Sequence, residues 1–356
     1  MAILGAGPSG AAAAIALGRM GFSVVLLERD RLESIPVGET LPGEIIRPLT
    51  RLGVWTSFLA ASHKPSPGTV SIWGDTHPHE RDFLFSPYGA SWHLDRTRFD
   101  AMLVHAANAD GSAVYRYVRI EIAPRVLGQP WSIRTEVHGQ ALSLRAAWLI
   151  DATGRSAWLS RRLGVRKRVY DRLIALIAFT SESAILEART LIEASRAGWW
   201  YFAPLPNGRA ISALFTDSDL LSGDMHDLEK VWSNHLADTQ LISTRISTIN
   251  ERPCLRVVTA TSSKLDRAAG DGWLAVGDAA QAYDPLSGQG VLHAICSGIA
   301  AAQAIANFRA GDVHALAAFN AAADLQFKRY QLNQSSQYGR EKRWPNSTFW
   351  NRRRSA

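Results

Sequence analysis

The feature that most constrains this chain is a cluster of glycines within its first ten residues. Gly5-Ala6-Gly7-Pro8-Ser9-Gly10 follows a short apolar run, residues 2–4, and opens an alanine-rich stretch reaching Met20. In a strand–turn–helix junction of this kind the first glycine permits the tight turn. The second lets the backbone approach a pyrophosphate, and the third lets the helix pack close to the sheet. The helix start then presents N–H groups and a positive dipole end to the phosphates. Phe22 to Leu27 is an apolar run of strand length, and Glu28 ends it, eighteen residues after Gly10. A carboxylate there accepts hydrogen bonds from both hydroxyls of an adenosine ribose and disfavours a 2′-phosphate. Arg29 beside it joins the same candidate set. The series has the size of a βαβ unit, so the expected fold is α/β, with a Rossmann-type dinucleotide-binding domain.

A second constellation lies far downstream. Trp273 to Val276 reads as a buried strand and leads into Gly277-Asp278-Ala279-Ala280, then Asp284-Pro285-Leu286-Ser287-Gly288-Gln289-Gly290. Asp278 is expected at a strand's carboxyl end, where ligands bind in such sheets, as a buried carboxylate bonding a ribityl hydroxyl. Pro285, Gly288, Gln289 and Gly290 lead into a long helix whose first N–H groups face a flavin pyrimidine ring and stabilise the charge that reduction places there. Alone, this motif reads more readily as a capped helix after a turn. Its pairing with the N-terminal fingerprint points to a flavin dinucleotide.

Between these motifs the chain alternates. Gly38 to Pro42 reads as a loop, followed by a helix reaching Leu52, and Thr97 to Ala107 has helical periodicity. Trp148 to Ala152 is a short apolar strand. From about 165 to 262 the chain is strand-like, as in Ile174 to Thr180 and Ala210 to Phe215, with one helix from Asp227 to Leu236. The cofactor domain is therefore read as discontinuous, over residues 1–62, 93–165 and 265–325. A β-sheet-rich substrate domain, residues 63–92 and 166–264, is inserted into it. Residues 326–356 read as a basic tail, and the whole is α+β in character.

Charge and cysteine content narrow the classes. The net charge is +7, but the last seventeen residues supply +5 of it through Arg340, Lys342, Arg343, Arg352, Arg353 and Arg354 against Glu341. No basic stripe covers the body of the protein, so no nucleic-acid partner is expected and the tail reads as a solvated end. Two cysteines, Cys254 and Cys296, make no disulfide framework, which suits a cytoplasmic protein. The apolar stretch Gly290 to Phe308 is broken by His293, Ser297, Gln303 and Asn307 and reads as a core helix rather than a transmembrane segment. No signal peptide is read at the start, where the first strand is short enough to suggest that a few residues preceded it.

Two further motifs stand between the glycine constellations: Leu94-Asp95-Arg96-Thr97-Arg98-Phe99-Asp100 and Asp151-Ala152-Thr153-Gly154-Arg155. In this order the four resemble the FAD-dependent monooxygenases of the p-hydroxybenzoate hydroxylase type, over nearly the whole chain. The resemblance implies FAD as cofactor, with NAD(P)H or a separate flavin reductase as electron donor. It places Arg96 against the FAD diphosphate or ribityl chain and Val118 by the adenine. Gly38-Glu39-Thr40-Leu41-Pro42 looks like the flavin-contacting loop of tryptophan-halogenase-like flavoproteins, which brings Glu39 and Thr40 to the cofactor. Gly198-Trp199-Trp200-Tyr201-Phe202-Ala203-Pro204 resembles their G-W-x-W-x-I-P segment, with Tyr201 and Ala203 as departures. Asp284-Pro285-Leu286-Ser287 and the ending Arg343-Trp344-Pro345, Phe349-Trp350, Arg352-Arg353 also look halogenase-like. Lys64 lies near the position of the halogenase lysine, but Pro65 and Pro67 do not fit that motif, so it reads as a surface lysine.

The departures favour a similarity to halogenase-like flavoproteins that mature quinone cofactors by hydroxylating a tryptophan of a partner protein. A small aromatic molecule is an equal contender as substrate. Candidate bases for deprotonating an indole or phenol are His93, Tyr201 and Glu39, with His63 as a further position. Trp73, Trp199 and Trp200 stand either as walls of an aromatic pocket or as core. Three alternatives stay open: a flavin-dependent halogenase, a geranylgeranyl-reductase-like flavoprotein, and a non-catalytic FAD-binding maturation factor.

Overall fold

Short apolar runs separated by helices assemble into a six-stranded sheet with Ala2–Leu4 near its centre. Val25–Leu27 and Ala113–Tyr115 extend it on one side, Leu149–Asp151 and Trp273–Ala275 on the other, all parallel. Ala269–Gly270 closes one edge antiparallel. The computed structural model describes residues 1–29, 38–137, 139–181, 188–221, 228–246 and 254–354. The fingerprint helix, Pro8–Arg19, buries Ala11 to Ile15 and Leu17 completely. Its small side chains let the helix Gly290–Arg309 approach closely: a Cβ on Gly298 would overlap the Ser9 carbonyl oxygen. By length and composition Gly290–Arg309 is long and apolar enough to cross a membrane. Here its Val291, Ile295, Ile299, Ala302 and Ile305 are buried in the core beneath the parallel sheet.

The second large sheet has seven strands in the order Cys254–Thr259, Leu173–Ser181, Arg209–Asp217, Gly198–Leu205, Thr190–Ser195, Gly68–Ile72 and His79–Asp82. Its pairings are antiparallel except that of Thr190–Ser195 with Gly68–Ile72. Successive residues of a strand face opposite sides, and this decides the fate of two tryptophans. Trp199 enters one apolar cluster with Trp73, Phe215, Tyr338 and Trp350, while Trp200 enters another with Trp232 and Ile242. They are core on both faces of the sheet rather than walls of a pocket.

Two local expectations are corrected. The segment 38–42 is not simply a loop: Thr40–Leu41 pairs with Ser91–His93, which also pairs with Lys64–Ser66. Where one helix was expected from Asp227, which lies outside the described residues, there are two, Leu228–Ala237 and Leu241–Ile246. The second is held by a distant carboxylate. Glu193 accepts hydrogen bonds from the N–H groups of Gln240, Leu241 and Ile242 at 2.7, 2.9 and 3.0 Å, and so satisfies helix-start donors that otherwise lack partners. Glu193→Ala is expected to lower stability by about 2 kcal/mol. Urea unfolding checks this, with Glu193→Gln falling between the two.

The basic C-terminal segment is not a solvated end. Helices Ala315–Gly339 and Thr348–Arg354 return to the sheet, and Phe349 and Trp350 are completely buried. Trp350 donates its indole N–H to the Ser195 carbonyl at 2.9 Å. Arg353 is held by buried Asp217 at 2.6 Å, and Arg352 bridges Asp217 and Asp219. Two of its cations, Arg352 and Arg353, are thus paired with Asp217 and Asp219 at the end of a sheet strand, and Arg343 with buried Glu341.

Candidate active site

The two glycine motifs meet although more than 260 residues separate them. Gly5 has φ +107°, and a Cβ there would overlap the Ala152 carbonyl. One on Gly10 would overlap the Gly5 carbonyl. Gly7 differs, because among the described residues no atom lies within 4 Å of where its Cβ would stand. That open space lies before Pro8 and Ser9 at the start of a helix with no side-chain cap. Gly277, with φ +57°, sits where a Cβ would come 2.8 Å from Ser9 Oγ, and its N–H donates to Ser297 Oγ at 2.8 Å. The Glu28 carboxylate accepts the Ala6 N–H.

Beside this loop is a cavity of about 230 Å³, lined among others by Gly5, Glu28, Arg29, Ile120, Thr153 and Trp158. The Arg29 guanidinium lies 5.3 Å from the centre of the Trp158 ring. Trp158 was not singled out from the sequence. The available signal was its position just after the Asp151–Arg155 motif. Val118 is buried behind the cavity, its N–H bonded to the Glu28 carbonyl at 3.0 Å, and Ile120 of the next strand supplies the apolar lining.

Asp278 follows its strand as expected but is not buried. Its side chain is 32% exposed and lies 3.4 Å from Arg155 Nε. A three-residue turn, Gly277–Ala279, carries it outward from the strand. The turn Pro285–Ser287 then leads through Gly288, at φ +61°, and Gln289 to the helix beginning at Gly290. Among the described residues no side-chain cap closes that helix start, and the Cβ positions of Gly288 and Gly290 are open. Arg96 converges on the same region: it bonds Asp100 at 3.1 Å and the Gly38 carbonyl at 3.3 Å. A Cβ on Gly38 would lie 3.2 Å from Arg96 and 3.8 Å from Val291. Two uncapped helix starts, three open glycine positions, a half-exposed aspartate and a sugar-side carboxylate fit a flavin dinucleotide.

Next to Arg96 stands a buried carboxyl. Glu39 is 5% exposed and, among the described residues, its Oε1 has no hydrogen-bond partner. Burial pushes its pKa up to about 7, against the pull of Arg96 and of the Gly38 and Glu39 N–H groups. Thr40 Oγ1 lies 2.5 Å from the Tyr201 hydroxyl. Burial, then the Glu39 charge, raises the phenol well above its ordinary value, so Tyr201 stays protonated. The other candidate bases sit differently. His93 has no exposed surface, bonds Thr190 at 2.9 Å, and burial and the Lys64 charge push it down to about 3. His63 accepts the Asp95 N–H at 3.3 Å, and burial lowers it to about 4. Both histidines are neutral at ordinary pH. Lys64, read as a surface lysine, is half-buried on the strand paired with that of His93.

Fold and site together define an FAD-dependent oxidoreductase of halogenase-like type. The chain belongs to the FAD binding domain family, whose description matches residues 1–317. It is 31% identical to LodB of Marinomonas mediterranea, described as an FAD-dependent oxidoreductase, over 99% of this chain and 95% of that protein. Among solved structures, the flavin-dependent halogenase CmlS superposes with a TM-score of 0.88 at 24% identity, covering 99% of this chain and 67% of CmlS. QhpG, a peptidyl tryptophan dihydroxylase essential for tryptophylquinone cofactor biogenesis, superposes with a TM-score of 0.79 at 24% identity, covering 99% and 77%.

Proposed function

We propose that this chain hydroxylates the indole of a tryptophan within a partner protein, as a step in building a quinone cofactor. The observation that carries the reading is Glu39: a buried, half-partnered carboxyl poised near neutrality, beside Arg96 and the flavin-facing glycines. The likeness to LodB over almost the full length of both proteins supports it, as does the fold shared with QhpG. The cofactor part is read as residues 1–62, 93–165 and 265–325, and the sheet-rich residues 63–92 and 166–264 as the substrate side.

FAD, when bound, supplies the activation of dioxygen, with electrons from NAD(P)H or a separate flavin reductase. The Gly5–Gly10 loop and its helix start would hold the pyrophosphate, Glu28 the ribose, and Arg29 with Trp158 the adenine side. Arg96 would neutralise phosphate charge, and the helix start at Gly290 would face the ring. Glu39, as the carboxylate, takes the proton released as the indole is oxidised. Tyr201 holds Thr40, and with it the 38–41 segment, against the sheet and keeps water out.

Because the active form is the carboxylate, kcat/KM is expected to rise with pH and level off above about 7. Glu39→Gln should lose that limb and fall by about 10²–10⁴-fold. The stability sign is opposite. A carboxyl raised from 4.5 to about 7 by folding stabilises when protonated, so stability should decline as pH rises through that window. Glu39→Gln should flatten this decline.

The reading is tested by oxygen uptake of the FAD-loaded protein with excess reductant, comparing tryptophan-containing peptides with free phenol and indole. Uptake tied to the peptides, with a mass gain of oxygen on tryptophan, supports it. Uptake tied only to small aromatics moves the substrate to a free molecule. The half-buried Lys64 favours halogenation as the second reading, and a bromine mass gain when bromide is added would replace the first.

A further inference from the structure

Two motifs have no place in the chemistry above: the Trp199-Trp200 strand and the Asp284-Pro285-Leu286-Ser287 turn. A single phenol joins them. Trp199 Nε1 lies 3.0 Å from the Tyr338 hydroxyl, which lies 2.7 Å from Asp284 Oδ2. An indole N–H only donates. Tyr338 therefore accepts from Trp199 and gives its own proton to Asp284, so the direction of the chain is fixed.

Asp284 is 1% exposed. Gln334 donates to the same oxygen at 3.0 Å, the Leu286 N–H to the other at 2.9 Å, and the N–H of Asp284 reaches the Tyr330 hydroxyl at 2.9 Å. Tyr330, Gln334 and Tyr338 are spaced by four along the helix Ala315–Gly339 and so share one face. Nearly all of that helix lies beyond residue 317, where the family match ends. A carboxylate buried this deeply keeps its charge only while donors surround it, and removing one donor leaves the others misaligned in an apolar cluster. Those neighbours are Trp73, Phe215, Phe349 and Trp350.

Both ends of the chain reach the candidate site. Asp284 caps the turn Pro285–Ser287, which continues through Gly288 to the helix start at Gly290. Trp199 stands two residues before Tyr201, whose hydroxyl meets Thr40 beside Glu39. One line of hydrogen bonds and backbone thus runs from segment 38–40, across the strand Gly198–Leu205, to the turn at the head of the long helix.

We propose that Tyr338 is a positioning residue: through Asp284 it fixes the turn 284–290, and through Trp199 it ties that turn to the strand carrying Tyr201. The proposal rests on the reading that this turn faces the flavin. A C-terminal helix outside the matched family region would then set how tightly, and at what potential, FAD is held.

The test measures FAD affinity by fluorescence titration, and flavin midpoint potential, for the full chain and for Tyr338→Phe, Asp284→Asn and the double variant. Tyr338→Phe keeps the ring and its packing. It is expected to bind FAD about tenfold more weakly and to show a lower potential, because the helix start no longer sits against the reduced ring. The double variant should be no worse than Asp284→Asn alone, as expected for residues acting through one contact. If Asp284→Asn does not fold, Gln334→Met serves in its place, with a smaller loss that vanishes in the Tyr338→Phe background. Unchanged affinity and potential in Tyr338→Phe, or losses that simply add, overturn the proposal. Wild-type protein that binds no FAD would overturn the reading of the turn itself.

Discussion

Gly10→Ala is expected to lose FAD binding by about 100-fold or more. The added Cβ would overlap the Gly5 carbonyl oxygen and press within 3.1 Å of the Ala152 Cβ. Relief requires the fingerprint helix to retreat from the sheet, and the close packing of Gly298 on Ser9 blocks retreat on its far side. The helix start would then point away from the pyrophosphate, and part of the cost should appear as lost stability. Gly7→Ala makes a sharper comparison. Its Cβ enters open space, so apo-protein stability should be unchanged while FAD affinity still falls, because the methyl occupies the ground the phosphate needs. Fluorescence titration and urea unfolding on both variants separate the two effects. Wild-type affinity in Gly7→Ala would mean that the pyrophosphate lies elsewhere.

Arg353→Ala is expected to cost about 3 kcal/mol of stability. Arg353 is 9% exposed and meets Asp217, itself almost fully buried, with two hydrogen bonds at 2.6 and 3.2 Å. Its guanidinium also lies 3.6 Å from the centre of the Phe349 ring. Removing it leaves Asp217 in the sheet with only the more exposed Arg352, and a buried carboxylate that loses two of its hydrogen bonds is costly. The loss should appear as a lower urea midpoint with an unchanged slope, and as protease sensitivity beyond residue 339. A loss below about 1 kcal/mol would place this ion pair with surface pairs and return the segment to the status of a solvated tail.

The C-terminal segment illustrates what the sequence conceals. Arg352 and Arg353 read as a basic end because their acids, Asp217 and Asp219, lie more than 130 positions away. Composition records the charge but not the partner. The same limit applies to Thr40 with Tyr201 and to Glu193 with the helix at Leu241, each a long-range contact that no local spacing announces. Local patterns fared better. The glycine fingerprint, the apolar strands at residues 2–4, 148–152 and 273–276, and the helix from Gly290 are written in short-range periodicity and backbone requirements, and the parallel sheet follows from them. Asp278 shows the boundary between the two cases. Its position after a strand was legible, whereas its exposure depended on a turn that carries it outward. The tryptophans at 199 and 200 fell to the same geometry, since adjacent strand residues serve opposite cores. Glu39 was legible as a position in a loop, but its burial required three strands to close over it.

The most direct test of flavin-dependent oxygenation uses the chemically reduced, FAD-loaded protein mixed with isotopically heavy dioxygen and a tryptophan-containing peptide, followed by mass analysis of the peptide. The account predicts heavy oxygen on the indole, in an amount that falls sharply in Glu39→Gln. A product whose oxygen comes from water, or reoxidation of the flavin with every tryptophan unchanged, would contradict it.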